Sequence, residues 1–243
     1  MTNTKQDIIA QLQREMLSLQ GYKTAIKNAA LDNMLGPVKN AFPNASFPLG
    51  AIHEFISNNP EDGAATAGFI SVIIAALMRN SGALVWISTS RTIFPPALKT
   101  FGISPDRIIF IDLKKEKEIL WAMEEALKCK GLSAVIGEMQ ELDFTASRRL
   151  QLVVEESRVT GFVLRRNPRS INTTACLTRW HVSSLQSELL HGMPGVGFPR
   201  WQVELLKVRN GTPGKWQIEF AAGRFRHVSK IAAIPFVQKK KTG

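Results

Sequence analysis

The stretch from Phe55 to Met78, "FISNNPEDGAATAGFISVIIAALM", has the layout of a phosphate-binding loop: an apolar run, a turn of small and polar residues, then a helix-forming run. In the pattern G-x-x-x-x-G-K-[ST] the glycines let backbone amides turn in on the phosphates. The lysine neutralises the β and γ charges, and the hydroxyl holds magnesium. Here Asn58 takes the first glycine place, Gly63 the second, Ala64 the lysine place and Ala65 the hydroxyl place, with Thr66 one position late. Phosphoryl transfer rests on electrostatic stabilisation, so hydrolysis is not expected, and a structural turn is the preferred reading. Residual phosphate binding by the helix amides stays open. The carboxylate that such an ATPase needs for magnesium has one candidate, Glu138 in "VIGEM", while the strand "VWISTS" ends in hydroxyls with no acid to activate water. No enzymatic activity and no cofactor are expected.

The second chemical signal is charge. Lys and Arg total 31 against 20 acids, a net +11. From Ser157 onward fifteen basic residues stand against three acidic ones, so this third carries +12 and the remainder −1. An acidic partner follows, with nucleic acid first. Arg165, Arg166 and Arg169 in "RRNPRS" fall at a strand end, where α/β sheets place ligands, and arginine forks suit phosphate oxygens. The bland alternative pairs them with Glu155 and Glu156 of the preceding helix. Lys207, Arg209 and Lys215 flank the "RNGTPG" turn as further DNA candidates or as a solvated face. Trp180, Trp201 and Trp216 read as core or sheet-surface rather than base-stacking residues, and one of Arg148 and Arg149 is expected to anchor a buried carboxylate. Two cysteines without paired spacing give no disulfide framework and no zinc site. The four histidines form no metal spacing, and no nucleophile motif is present. The longest apolar run, Phe69 to Met78, is far short of a membrane span. A cytoplasmic protein with no membrane partner is expected.

These residues must be held by an alternation of elements. Apolar residues at helical spacing predict a helix over 6–22, then a loose segment over 29–48 with three prolines. Strands are predicted over 51–56, 83–89, 107–113 and 133–139 and at "GFVLRR". Helices are predicted over 66–79, 116–130 and 145–159, the last ended by Gly161, with a short proline-started helix ending at Gly102. Near-continuous apolar strands alternating with helices argue for an α/β fold with a parallel sheet covered on both faces. In the last third "ACLTRWHVSSL", "RWQVELLKVR" and "KWQIEFA" alternate apolar and polar residues, as antiparallel strands do. The organisation expected is an N-terminal helix and linker over 1–45, a core over 46–235 and a basic tail over 236–243.

Several stretches carry a family resemblance. "FPLGAIHEF" resembles the start of the core in RecA-type recombinases. "FGISPDRIIFIDL", "AVIGEMQELDFTASRRLQLVVEESRVTGFVLRR", "TRWHV" and "PRWQVELLKVRNGTPGKWQIEF" resemble the ImuA family, RecA-like proteins of error-prone repair. The matching stretches span most of the chain from about Phe47 to Phe220. The resemblance implies a RecA-like fold and a role in assisting translesion synthesis in the SOS response. It implies contacts with an ImuB-type polymerase relative and a polymerase α-subunit paralogue, with RecA and single-stranded DNA as further partners. DNA-contacting loops would fall at 140–143, which is acidic here, and at 165–170, which is too short for filament-style wrapping. Two alternatives remain: a SulA-like cell-division inhibitor, and a DNA-dependent ATPase with an unusual phosphate loop.

Overall fold

A computed structural model describes residues 28–80, 82–188 and 197–228 of the chain. The helix expected over 6–22, the whole basic tail over 236–243 and part of the glycine-rich loop before Pro199 lie outside these residues.

Strand β1 (Ile52–Ser57) is buried along its whole length, as "IHEFIS" requires of a central parallel strand. After it come α2 (Pro60–Leu77), β2 (Ala83–Ser88), β3 (Ile108–Asp112), α3 (Glu116–Leu127), β4 (Leu132–Met139), α4 (Phe144–Ser157) and β5 (Thr160–Arg166). Strands β6 (Thr178–Leu185), β7 (Arg200–Val208), β8 (Gly214–Ala221) and β9 (Arg224–His227) follow, and a short helix α1 (Ala29–Met34) precedes them all. The nine strands form one sheet in the order β3-β2-β4-β5-β1-β6-β7-β8-β9. Neighbours from β3 to β6 are parallel, and from β6 to β9 antiparallel. This is the expected α/β architecture, mostly parallel with antiparallel strands added at the C-terminal end.

Helix α2 packs on one face of the sheet, with Phe69, Ile70 and Ile73 against Phe55, Phe162 and Trp180. Trp180 stacks on Phe55 at 5.8 Å between ring centres. Helices α3 and α4 cover the other face through Ile119, Met123, Leu150 and Val154. Although α2 is long and apolar enough to cross a membrane, it is 67% buried as a core helix.

Several expectations change. The segment over 29–48 is not loose: Leu31, Leu35, Val38, Phe42 and Phe47 are buried in the core. Two of its three prolines, Pro37 and Pro43, start 3-10 turns (Gly36–Ala41, Pro43–Ala45) rather than ending order. Helix α4 ends at Arg158, which takes a left-handed φ of 67°, and not at Gly161. That glycine lies inside β5, where an added Cβ would come 2.5 Å from Ile52 Cδ1. Strand β3 is the outer strand of the sheet and is only partly buried, with Ile109 51% exposed.

Candidate functional site

The β1–α2 junction decides what the degenerate loop can do. Only Asn58 and Asn59 connect the strand to the helix, because α2 begins at Pro60, six residues before the predicted start. The local signal is strong: Asn59 caps the helix by accepting from Asp62 N at 2.7 Å, and proline occupies the first turn. Gly63, Ala64, Ala65 and Thr66 are therefore helical residues, not loop residues. Ala64 is exposed, while Thr66 is fully buried and shares a 3.1 Å hydrogen bond with Ser57. The first turn also carries Glu61 and Asp62. These carboxylates occupy the positive end of the helix dipole and repel a further anion. Asp62 is held there by the Asn59 amide at 3.0 Å and lies 3.3 Å from His181 Nε2.

Glu138 sits at the end of β4, 6% exposed. It accepts from Trp86 Nε1 at 2.6 Å, and its other oxygen lies 2.7 Å from Arg166 Nε. The Arg166 contact is an ion pair lying off the line of a hydrogen bond, since that buried Nε has no partner in hydrogen-bond geometry. Burial holds the Glu138 carboxyl above its usual range, against the pull of Arg166 and the Trp86 bond. The candidate magnesium carboxylate is thus committed to an indole and a guanidinium.

Beside this junction lies a recess of about 1100 Å³. Its floor is the small-residue side of α2, including Ala64, Ala67 and Gly68, and its walls carry Phe94, Phe198 and Trp201. Gly68 is needed for the approach of that wall, since a Cβ there would come 3.0 Å from Trp201 Cζ2. Phe94 is 67% and Phe198 44% exposed. Sequence reasoning missed this recess because its lining comes from five separated stretches. The only local signals were the aromatic residues beside proline in "FPPALKTF" and "GFPRW".

The DNA candidates separate. Arg165 is fully buried. It donates to Glu54 at 3.0 Å, to Glu141 at 3.1 Å and to the carbonyls of Gln140 and Ser170 at 3.1 and 2.8 Å. Glu54, also fully buried, accepts in addition from Thr174 and Arg179, each at 2.8 Å. Arg165 is therefore an interior clamp and not a DNA contact. Its partners are Glu54 and Glu141, not Glu155 or Glu156. Glu141 also accepts from Arg169 N at 2.8 Å, so the acidic loop over 140–143 ties down the arginine loop over 165–170. Lys207 donates to Thr174 O at 2.7 Å, and its ammonium is held below its usual range by burial and then by Arg179. Arg209 leans on Ala175 O at 3.5 Å, and exposed Lys215 pairs with Glu204 at 2.5 Å. Arg169 is exposed, but only its backbone amide is bonded among the described residues. Trp180 and Trp201 are core residues, as expected. Of the two adjacent arginines, Arg149 reaches the partly buried Glu124 carboxylate, and Arg148 the half-exposed Glu155.

No family model matches the chain. Protein ImuA of Caulobacter vibrioides, in each of two strains, is 35% identical over 212 residues, covering 80% of this chain and 87% of that protein. The cell division inhibitor SulA of Photorhabdus laumondii is 27% identical over 126 residues, covering 50% of this chain and 71% of that protein. Among solved structures, the RadB recombinase superposes with a TM-score of 0.50 at 12% identity, over 76% of this chain and 93% of its own. The fold is RecA-like.

Proposed function

Because the chain belongs to the ImuA family, we propose that it is an accessory protein of SOS-type error-prone repair, which assists translesion synthesis by binding a polymerase-like partner and not by turning over a nucleotide. The observation that carries the second half is the β1–α2 junction. Where a phosphate loop would stand, the helix has already begun, and its own Glu61 and Asp62 sit at its positive end. The recess beside it is walled by Phe94, Phe198 and Trp201, a lining suited to protein side chains.

In this reading the RecA-like sheet is a scaffold. The partners are an ImuB-type polymerase relative and, through it, a polymerase α-subunit paralogue, with RecA and single-stranded DNA as further contacts. The test has two arms. Deleting the gene should bring damage-induced mutation down to the undamaged background, and restoring the chain should recover it; unchanged mutagenesis refutes the repair role. The purified protein should show no DNA-stimulated ATP hydrolysis, and turnover that is lost on Asp62→Lys would refute the non-catalytic half. The resemblance to SulA over half the chain supports a second reading, cell-division inhibition. Filamentation of undamaged cells on overexpression, with normal mutagenesis in the deletion strain, would favour it.

A further inference from the structure

We propose that single-stranded DNA is held by its phosphates at Arg79, Arg224 and Arg226, around a recess between α1, the end of α2 and the β8–β9 turn. This deepens the repair reading and rests on it. The recess has a volume of about 440 Å³, and Asn33, Arg79, Gly223 and Arg224 are among its lining residues. None of them was among the candidates read from the sequence.

Pairing is the first argument. Among the described residues most arginines are committed: Arg91 to Asp112, Arg149 to Glu124, Arg166 to Glu138, and Arg200 to Glu188 and Glu219. Arg79, Arg224 and Arg226 are exposed and hold no carboxylate, carbonyl or ring among those residues. Nearby acids do not neutralise them. Asp32 of α1 is turned to the Ser46 hydroxyl and Phe47 N. Glu219, opposite Arg226 in the sheet, is held by Arg200 at 2.7 Å.

Geometry is the second. Phe225 is 2% exposed, so strand alternation puts Arg224 and Arg226 together on the opposite side, about 6.6 Å apart along the strand. Arg224 also reaches the recess that Arg79 lines. Arg79 and Arg224 thus line one recess, and Arg226 continues from Arg224 on the sheet face turned away from α2, since Phe225 stacks on Phe69 of that helix, a basic track that passes over the sheet edge. Such a track binds phosphate without regard to sequence.

Two simpler explanations cover less. Charges on an outer strand prevent edge-to-edge aggregation, but the edge of β9 is already covered by the turn Gly36–Ala41. A Cβ on Gly36 would fall 2.6 Å from Phe225 O. Arg79 lies just past the C-terminal end of α2, where a cation offsets the helix dipole; that accounts for Arg79 and not for Arg224 or Arg226.

The test is fluorescence anisotropy of a labelled thymidine oligonucleotide with the full chain across a salt series. The triple variant Arg79→Ser, Arg224→Ser, Arg226→Ser should weaken binding at least tenfold at low salt. It should also flatten the slope of log K against log salt by about 2, since each phosphate neutralised on a single strand adds ~0.7 to that slope. Lys215→Ser, whose ammonium is paired with Glu204, should leave both unchanged, and circular dichroism should show the same fold throughout. The tail is common to all these proteins, so the difference isolates the track. Equal affinity and slope in the triple variant overturn the proposal, as does an absence of binding by the parent chain. Preference for duplex overturns the assignment to a single strand. Each of these failures leaves the mutagenesis result of the repair reading untouched.

Discussion

Arg165 and Arg224 come from the same basic third of the chain and meet opposite fates. Arg165 is wholly buried, with its donors spent on Glu54, Glu141 and two carbonyls. Arg224 stands in the open beside Arg79 with no partner among the described residues. The difference teaches that net charge marks a region and says nothing about which cations are available. An arginine inside a satisfied network is part of the fold, and one without a counter-ion is part of the surface field.

The sharpest way to break this contrast is to remove what encloses the interior. Deleting residues 1–44 strips Leu31, Leu35, Val38 and Phe42 from the core. Each loss is of the size of a large-to-small core substitution, about 2–5 kcal/mol, so the truncated chain should show no cooperative thermal transition. A truncation that melts like the parent would mean that this segment is dispensable to the fold. Next in size is Glu54→Ala, which removes the fully buried carboxylate shared by Arg165 and Arg179 and leaves Arg165 only the half-exposed Glu141. Breaking a buried pair by removing one partner costs about 3–5 kcal/mol, read as a lower urea midpoint. Arg224→Ala measured alongside should not move the midpoint, and an equal shift in both would dissolve the distinction.

A pH series probes the interior from another side. His53 is fully buried, with Nε2 2.9 Å from Pro48 O and Nδ1 2.7 Å from the Thr178 hydroxyl. A carbonyl only accepts, so Nε2 carries a proton. Burial lowers its pKa from 6.5 to about 3, against the Pro48 bond, which raises it. The folded value lies below the unfolded one, so the unfolded chain takes up the proton first as pH falls. This histidine's contribution is intact above pH 6.5 and is lost between there and about pH 3, at about 1.4 kcal/mol per pH unit. Urea midpoints that do not fall from pH 6.5 to pH 5 would contradict it. The smallest expected effect is Lys215→Ala. Its exposed pair with Glu204 should change stability by less than about 0.5 kcal/mol, and a larger shift would place that pair with the interior network.

Much of the fold was legible because apolar periodicity is local. The runs "IHEFI", "ALVWIS" and "AVIGEM" could only be buried strands, and the alternation in "RWQVELLKV" could only be a strand with two unlike faces. The missing lysine at Ala64 was legible for the same reason. What the sequence misjudged was where long-range contacts decide. The stretch "NNPEDG" reads as loop or as helix start, and α2 takes the second form because Asn59 caps it and Phe69 and Ile70 anchor its middle in the core. The prolines over 29–48 suggested looseness until Leu31 and Phe42 found the other side of that core.

By itself, then, the sequence determined the α/β class, the run of antiparallel strands at its end, the alanine at position 64 where a phosphate loop carries lysine, and the concentration of positive charge in the last third. Each is a property of residue type and spacing along the chain. Only the tertiary structure decided which charges remain free. Glu54, Arg165 and Arg179 meet from β1, β5 and β6, while Arg79 and Arg224 meet from the end of α2 and the start of β9. Pairing of charges depends on distance in space, and sequence separation carries almost no information about it.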